Sequence, residues 1–369
     1  MLGTKLAYLK AGINDKWPSL NGVEGQMNKL IEKIPQKLLE QIPYTKSWSV
    51  RQNWSVRQEW LIQPELTNNC NFRCVYCPHS VYRKRVDGSN QFNREKGFMS
   101  EELWDIVLRN AAKYGSIIMM GFFGEPLLHP KFQSFIRMIP ATRPYILHIN
   151  TNWSLVTKEN METLKCFDLV RISLDTSNAS LWERLCPGGA VLDLNGVPSI
   201  DRYNVVAEKI EYWLQLKDHA PTRLVCVVSS INEHDVEKHV NLWHPKLSPR
   251  DHVQTKTILS YGGVMRDSHM SKYPCIIPSC KYLTVAWNGD CTPCNLDVNI
   301  AWNVGNLYDE TDMKKIVNGK RWKQAISSIK RKQGICMNCL DANNRGEDRE
   351  YWGVGSVQND SEACKPLKK

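Results

Sequence analysis

Between Trp60 and Leu259, short apolar runs alternate with longer segments in which apolar residues recur at helical spacing. The apolar runs predict strands at Trp60–Leu66, Ser116–Met120, Tyr145–Thr151, Leu169–Leu174, Arg223–Ser229 and Thr255–Leu259. Between them, helices are predicted at Ser100–Tyr114, Lys158–Cys166, Ala179–Leu185, Tyr203–Leu216 and Asp235–Trp243. Ser100, with Glu102 and apolar residues behind it, is a suitable helix start. Six such units imply an α/β chain, with parallel strands and outer helices forming a partial (β/α)6 TIM-like barrel. A sheet of this kind gathers its site at the C-terminal strand ends.

The flanks have a different pattern. Residues 1–58 read as an N-terminal extension with one amphipathic helix, about Glu24 to Gln41, and the pentapeptide W-S-V-R-Q occurs twice, at 48–52 and 54–58. Trp48, Trp54 and Trp60 recur every six residues, an even spacing that puts them on one face of an extended strand. Residues 59–260 form the predicted core. Residues 261–369 carry short Gly-, Pro-, Trp- and Cys-rich segments, one helix near Asp312–Lys330, and a β-hairpin turning at Asn288–Gly289. They read as a small cysteine-rich α+β domain stapled by metal.

With 42% hydrophobic and 23% charged residues, the composition is that of a globular chain. The longest apolar run, Ile117 to Phe123, is far short of the roughly 20 residues a membrane helix needs. The first residues lack a long apolar stretch with a cleavage site, so the expectation is a cytoplasmic protein. The net charge of +10 is partly concentrated in K-R-W-K and K-R-K near residues 320–332 and in the terminal K-P-L-K-K. It reads either as a solvated face or as attraction for an anionic substrate, carrier or acidic peptide. No nucleic-acid recognition motif accompanies it.

Thirteen cysteines change the picture. In a reducing compartment, clustered cysteines are usually metal ligands or catalytic groups. Cys70, Cys74 and Cys77 fall in the run C-N-F-R-C-V-Y-C directly after the first predicted strand. Zinc would require a fourth ligand, His79 or a distant residue. Three thiolates can instead hold three irons of a [4Fe–4S] cube, leaving one iron open for chemistry. Cys166, Cys186, Cys226 and Cys364 default to packing or surface roles, although Cys226, on the fifth strand, could donate a hydrogen atom if it faced the barrel interior. Arg171, on the fourth strand, is a candidate anchor for an anionic substrate group or an ion-pair partner.

The C-x3-C-x2-C run, with Tyr76 before the last cysteine, resembles the signature of the radical S-adenosylmethionine (SAM) enzymes. The resemblance covers roughly residues 60–260. After the second strand, G-F-F-G-E-P resembles the family's G-G-E-P motif, with Gly124 and Glu125 matching and Phe123 in place of the first glycine. N-T-N at Asn150 to Asn152 is similar to T-N-G, with Trp153 replacing glycine, and I-S-L-D-T carries the S-x-D pattern as Ser173 and Asp175. The resemblance implies a cluster on Cys70, Cys74 and Cys77 whose open iron chelates SAM. Tyr76, Gly124, Glu125, Asn150, Ser173 and Asp175 would line the SAM site. The implied reaction is reductive cleavage of SAM to a 5′-deoxyadenosyl radical, which abstracts hydrogen from a substrate C–H bond.

The order of Cys275, Cys280, Cys291, Cys294, Cys336 and Cys339 around the hairpin resembles the SPASM and twitch auxiliary-cluster modules. Family spacing favours Cys275, Cys294, Cys336 and Cys339 as ligands of one auxiliary [4Fe–4S] cluster, with Cys280 the rival of Cys275. A zinc-ribbon site on the two C-x2-C pairs is the competing arrangement. The expected substrate is a sugar, aminocyclitol or related small molecule undergoing oxidation or epimerisation, and the expected reductant is a flavodoxin or ferredoxin. The alternatives are a maturase that crosslinks or epimerises a ribosomally made peptide, and a non-enzymatic iron–sulfur electron carrier.

Overall fold

The computed structural model describes residues 60–80, 92–269, 275 and 277–339. The expected N-terminal helix, the repeated W-S-V-R-Q, Trp48 and Trp54 lie outside the described residues.

Six parallel strands run across the sheet in chain order: β1 (Leu61–Pro64), β2 (Ile117–Met120), β3 (Ile146–Thr151), β4 (Leu169–Ser173), β5 (Thr222–Val228) and β6 (His252–Thr257). The helices between them are α1 (Glu101–Tyr114), α2 (Phe132–Arg137), α3 (Lys158–Leu164), α4 (Ala179–Leu185), α5 (Arg202–Gln215) and α6 (Val236–Trp243). This is the predicted β/α repetition. Helix α1 shows why it forms. Ser100 caps it by accepting from the Leu103 N–H, Glu101 and Glu102 favour its positive end, and Gly115 ends it in the left-handed conformation. Its buried stripe (Leu103, Trp104, Val107, Ala111) packs on the sheet, and the Trp104 indole donates to the Phe135 carbonyl at 2.9 Å.

Alternation along the strands divides the sheet into two faces. Ile62, Ile118, Leu147, Val170, Ile172 and Leu224 share the face that forms one core with Trp104, Leu164, Ile210 and Trp213 of the helices. The opposite face lines the interior of the curved sheet.

The C-terminal hairpin does not stand apart from this sheet. Strand β7 (Tyr282–Val285) pairs in parallel with β1, and β8 (Asp290–Thr292) and β9 (Gly305–Asn306) follow antiparallel, giving one nine-stranded sheet. Leu283, Val304 and Trp322 enter the main core, where Trp322 meets Trp60 edge to face at 6.0 Å. The single helix predicted near 312–330 is two, α7 (Met313–Asn318) and α8 (Lys320–Lys330). Gly319 divides them with extended backbone, ψ 168°. Helix α2 is too short, at six residues, to display a period. A small ribbon pairing Val191–Leu192 with Pro198–Ser199 was also not anticipated.

Candidate active site

The cysteine loop is braced on both sides. Thr67 and Asn68 donate to the carbonyls of Gly97 and Glu95, each at 2.6 Å, and buried Glu65 receives both ends of the Arg94 guanidinium at 2.6 and 2.8 Å. On the other side, the Arg73 and Val75 N–H groups donate to the carbonyls of Pro187 and Leu185 behind α4. Phe72, between the first two cysteines, packs edge to face on Trp182 at 5.4 Å. The spacer is therefore a packing anchor as well as a spacer.

Burial, with Glu125 nearby, pushes the Cys70 thiol up to about 12, and burial pushes Cys77 up to about 11. The Cys186 thiol, 3.5 Å from Cys74, raises Cys74 together with burial. Buried thiols become thiolates only against positive charge, which the irons of a bound cluster supply. Among the described residues, no three Cys, His, Asp or Glu side chains gather as ligands of a single metal ion. A cube is larger than an ion, and three thiols spaced along one loop suit its corners.

The second strand's loop docks onto the first. Gly121 donates to the Pro64 carbonyl at 3.1 Å, and the Glu125 N–H donates to the Asn69 carbonyl at 2.8 Å. Gly124 has φ +82°, and a Cβ there would lie 2.3 Å from the Thr67 carbonyl oxygen and 2.6 Å from that of Asn69. Only glycine fits this position. Glu125 is buried, and its carboxylate accepts from the Thr151 hydroxyl at 2.8 Å, the Asn152 N–H at 2.7 Å and the Leu127 N–H at 3.2 Å. Burial raises it to about 7. Three donors on its carboxylate tie β2 to β3 beside Cys70, so it braces the two loops. Asn152 extends the tie by donating to Asn71 in the cysteine loop at 3.0 Å. Trp153 holds φ +63° where glycine is expected, and its ring is fully buried against Trp213 at 5.6 Å. Packing offsets the strain.

Tyr76 and Asp175 meet directly: the phenol donates to the carboxylate, which also accepts from the Val227 N–H at 2.6 Å. Burial pushes Asp175 up to about 6 and, with Asp175 beside it, raises Tyr76. Ser173 is exposed at the end of β4, and Asn150 is half-buried near the end of β3. The structure thus brings Cys70 to Glu125 and Tyr76 to Asp175. Cys226 is a correction. It shares the helix-facing side with Leu224, is fully buried, and its thiol donates to the Asp175 carbonyl at 3.4 Å. The interior positions of β5 are Arg223, Val225 and Val227, so Cys226 is not placed to reach a substrate there.

Four later cysteines assemble. Cys275 and Cys339 both act electrostatically on Cys294 and Cys336, and Cys275, Cys294 and Cys336 share a small cluster with Ile277 and Ile329. Ser260, just beyond the barrel, contacts the Cys339 sulfur at 3.4 Å. Asp297 shapes the turn after Cys294 by accepting from Thr292 and from the Ala301 and Trp302 N–H groups. Cys291 points elsewhere: its thiol donates to the Gly289 carbonyl at 3.4 Å within the main core. Cys280 is disulfide-bonded, whereas Cys275 is a thiol.

One feature of the interior face escaped the sequence. Asn150, Arg171, Arg223 and His252 are register partners across β3, β4, β5 and β6, so they form a single polar rung. Arg171 donates to Gln254 two strands away at 3.2 Å.

Residues 65–242 match the model of the Radical SAM superfamily, and residues 275–340 match SPASM, an iron–sulfur cluster-binding domain. Over 115 residues the chain is 32% identical to the tungsten-containing aldehyde ferredoxin oxidoreductase cofactor-modifying protein of Pyrococcus furiosus, covering 30% of this chain and 29% of that protein. Over 106 residues it is 30% identical to the S-adenosyl-L-methionine-dependent 2-deoxy-scyllo-inosamine dehydrogenase of Niallia circulans, covering 27% and 38%. The matches therefore span well under half the length of these two relatives. Among solved structures, Streptococcus suis SuiB bound to precursor peptide SuiA has the same fold, with a TM-score of 0.57 at 13% identity over 93% of this chain and 81% of that one.

Proposed function

This chain belongs to the radical SAM superfamily and carries a SPASM iron–sulfur domain behind its barrel, and from that premise we propose that it oxidises a small polyol-like substrate, a sugar or aminocyclitol, by abstracting hydrogen from a C–H bond. The observation that carries this reading is the convergence of the cysteine loop with the ends of β2, β3 and β4. The Niallia circulans relative, a dehydrogenase of 2-deoxy-scyllo-inosamine by name, supports the substrate class.

A [4Fe–4S] cluster with SAM, when bound, supplies the electron that cleaves the sulfonium and yields a 5′-deoxyadenosyl radical. The chain's own residues do the rest. Cys70, Cys74 and Cys77 would hold the cluster, and Gly124 lets the β2 loop pack against the cysteine loop. Glu125 braces Thr151 and Asn152, while Tyr76 and Asp175 latch the cysteine loop to β4 and β5. Tyr76, Gly124, Glu125, Asn150, Ser173 and Asp175 would line the SAM site. Cys275, Cys294, Cys336 and Cys339 would hold an auxiliary [4Fe–4S] cluster suited to accept the electron left on the product. We divide the chain into an extension (1–58), a core (59–260) and an auxiliary-cluster module (261–369). A flavodoxin or ferredoxin in a reducing cytoplasm fits the need for electrons. No helix among the described residues is long and apolar enough to cross a membrane.

Anaerobic reconstitution tests this. The protein should hold about eight irons, four per cube, and release 5′-deoxyadenosine from SAM with dithionite. About four irons with bound zinc would remove the auxiliary cluster, and no 5′-deoxyadenosine from fully loaded protein would remove the reaction.

A further inference from the structure

We propose that Cys186, a buried thiol outside the cysteine loop, donates its S–H to the Cys74 thiolate and so helps set the reduction potential of the first cluster. The inference rests on the reading above, in which Cys74 is a cluster ligand. It adds a positioning residue that acts through that ligand.

The cysteine loop and the end of α4 are held face to face. The Arg73 and Val75 N–H groups, on either side of Cys74, donate to the Pro187 and Leu185 carbonyls, on either side of Cys186, at 2.8 and 2.9 Å. The two sulfurs are 3.5 Å apart. Cys186 is buried in the main core, and half-buried Cys74 packs against that core.

Several contacts fix Cys186 in place. Its backbone leaves the helical region at φ −122° and ψ 59°, where its N–H donates to the Trp182 carbonyl and ends α4. Arg202 of α5 donates to the Cys186 carbonyl at 3.1 Å and lies over the rings of Phe72 and Trp182, 5.3 and 5.1 Å away. Phe72 belongs to the spacer between the first two loop cysteines, so one guanidinium steadies both sides of the contact. The chain beyond Cys186 stays against the loop. A Cβ on Gly189 would lie 2.4 Å from the Asn71 carbonyl oxygen, and the Asn71 side chain donates to the Ala190 carbonyl at 2.9 Å.

Chemistry gives the contact its direction. A cluster ligand is a thiolate without a proton, so of the two sulfurs Cys186 alone has a hydrogen to give. The Tyr76 hydroxyl also lies 3.5 Å from the Cys186 sulfur, but its own proton goes to Asp175. The Cys186 S–H thus has two acceptors within reach, and the charged sulfur of Cys74 draws the stronger bond. Hydrogen bonds to the sulfurs of a cluster favour its reduced, more negative state and raise its potential.

The test uses full-length, anaerobically reconstituted protein, reduced stepwise and followed by electron paramagnetic resonance. The signal that changes on addition of SAM identifies the first cluster. Cys186→Ala should keep about eight irons and lower the midpoint potential of that signal. Loss of one hydrogen bond should shift the reduced-to-oxidised ratio about threefold to tenfold, or about 30–60 mV at 59 mV per tenfold for one electron. Cys186→Ser keeps a donor and should stay near the wild-type midpoint; it decides the matter if the alanine variant loads poorly. The inference is overturned if fully loaded Cys186→Ala has the wild-type midpoint, or if folded Cys186→Ser shifts as far as alanine or fails to load. It is also overturned if the cluster responds to SAM only once Cys186 is replaced, which would make Cys186 a fourth ligand. A wild type that forms 5′-deoxyadenosine, with an unmoved midpoint in Cys186→Ala, refutes this inference alone. A lowered midpoint in Cys186→Ala, with no 5′-deoxyadenosine from the wild type, refutes the reaction alone. A wild type with no SAM-responsive signal removes both.

Discussion

Gly124→Ala is the sharpest probe of the proposed cluster loop. The added methyl would sit 2.3 Å from the Thr67 oxygen, 2.6 Å from the Asn69 oxygen and 2.9 Å from Asn68 Cα. All three neighbours are backbone, so no side chain can swing aside. A left-handed φ costs alanine about 1–2 kcal/mol, and overpacking adds about 1–3 kcal/mol. The expected total is about 2–5 kcal/mol, or roughly 5–10 °C in melting temperature for a chain of this size. The clash falls on residues 67–69, immediately before Cys70, so relief must displace the first proposed ligand. Purified under anaerobic conditions, the variant should melt earlier and lose about four irons, one cube, along with 5′-deoxyadenosine formation. A variant with wild-type melting temperature and full iron content would show that the close approach of the two loops is not needed to hold the cluster.

Other sites give independent checks. Cys294→Ala should lower iron content by about four while Cys291→Ala leaves it unchanged, because Cys291 bonds to the Gly289 carbonyl within the main core; equal losses would contradict the ligand assignment. Cys226→Ala should retain product formation and lose about 1 kcal/mol of stability through a small cavity, and loss of product with SAM cleavage retained would restore Cys226 as a hydrogen donor. Trp153→Gly relieves the positive φ but empties a core site beside Trp213. Loss of the ring should dominate, destabilising by about 2–4 kcal/mol in denaturant unfolding, and a stabilised variant would refute that balance. Burial works against a charged His219, but the Asp251 carboxylate at 3.1 Å overcomes it and holds His219 above its ordinary value of 6.5, while His219 helps hold Asp251 below 3.8. The His219 contribution is complete below pH 6.5 and fades as pH rises through its folded value; that of Asp251 is present above pH 3.8 and fades on acidification. Asp251→Asn should therefore flatten the stability profile above pH 6.5, and an unchanged slope in urea titrations would dismiss the pair.

The barrel was legible because its outer face is largely apolar on β1 to β5 and its long helices carry apolar stripes. Strands β1 to β5 fall within a few residues of their predicted places. Strand β6 was read too late, from Thr255 rather than His252, because its interior positions are His252, Gln254 and Lys256 and resemble a loop. The same polarity hid the rung. The cysteine loop could be found from spacing, and Gly124 and Glu125 from the resemblance to G-G-E-P, but the bonds that Glu125 makes could not. Its three donors arrive from Leu127, Thr151 and Asn152, two of them on a different strand end. Nor could the sequence say what Trp153 does in a glycine's place, where its indole is buried against Trp213 of α5.

By itself, the sequence determined the repeating β/α architecture, the grouping of nine cysteines into two sets, and the chemistry such sets invite, because period and spacing are local properties of a chain. Only the tertiary structure decided that the hairpin joins β1 in one continuous sheet, that Cys275, Cys294, Cys336 and Cys339 gather while Cys291 turns to the Gly289 carbonyl, and that Cys226 looks toward the helices. It alone aligned Asn150, Arg171, Arg223 and His252, residues separated by about a hundred positions in all. Register between strands sets which side chains share a level on the sheet, and register is fixed by packing across the whole barrel rather than by any one segment.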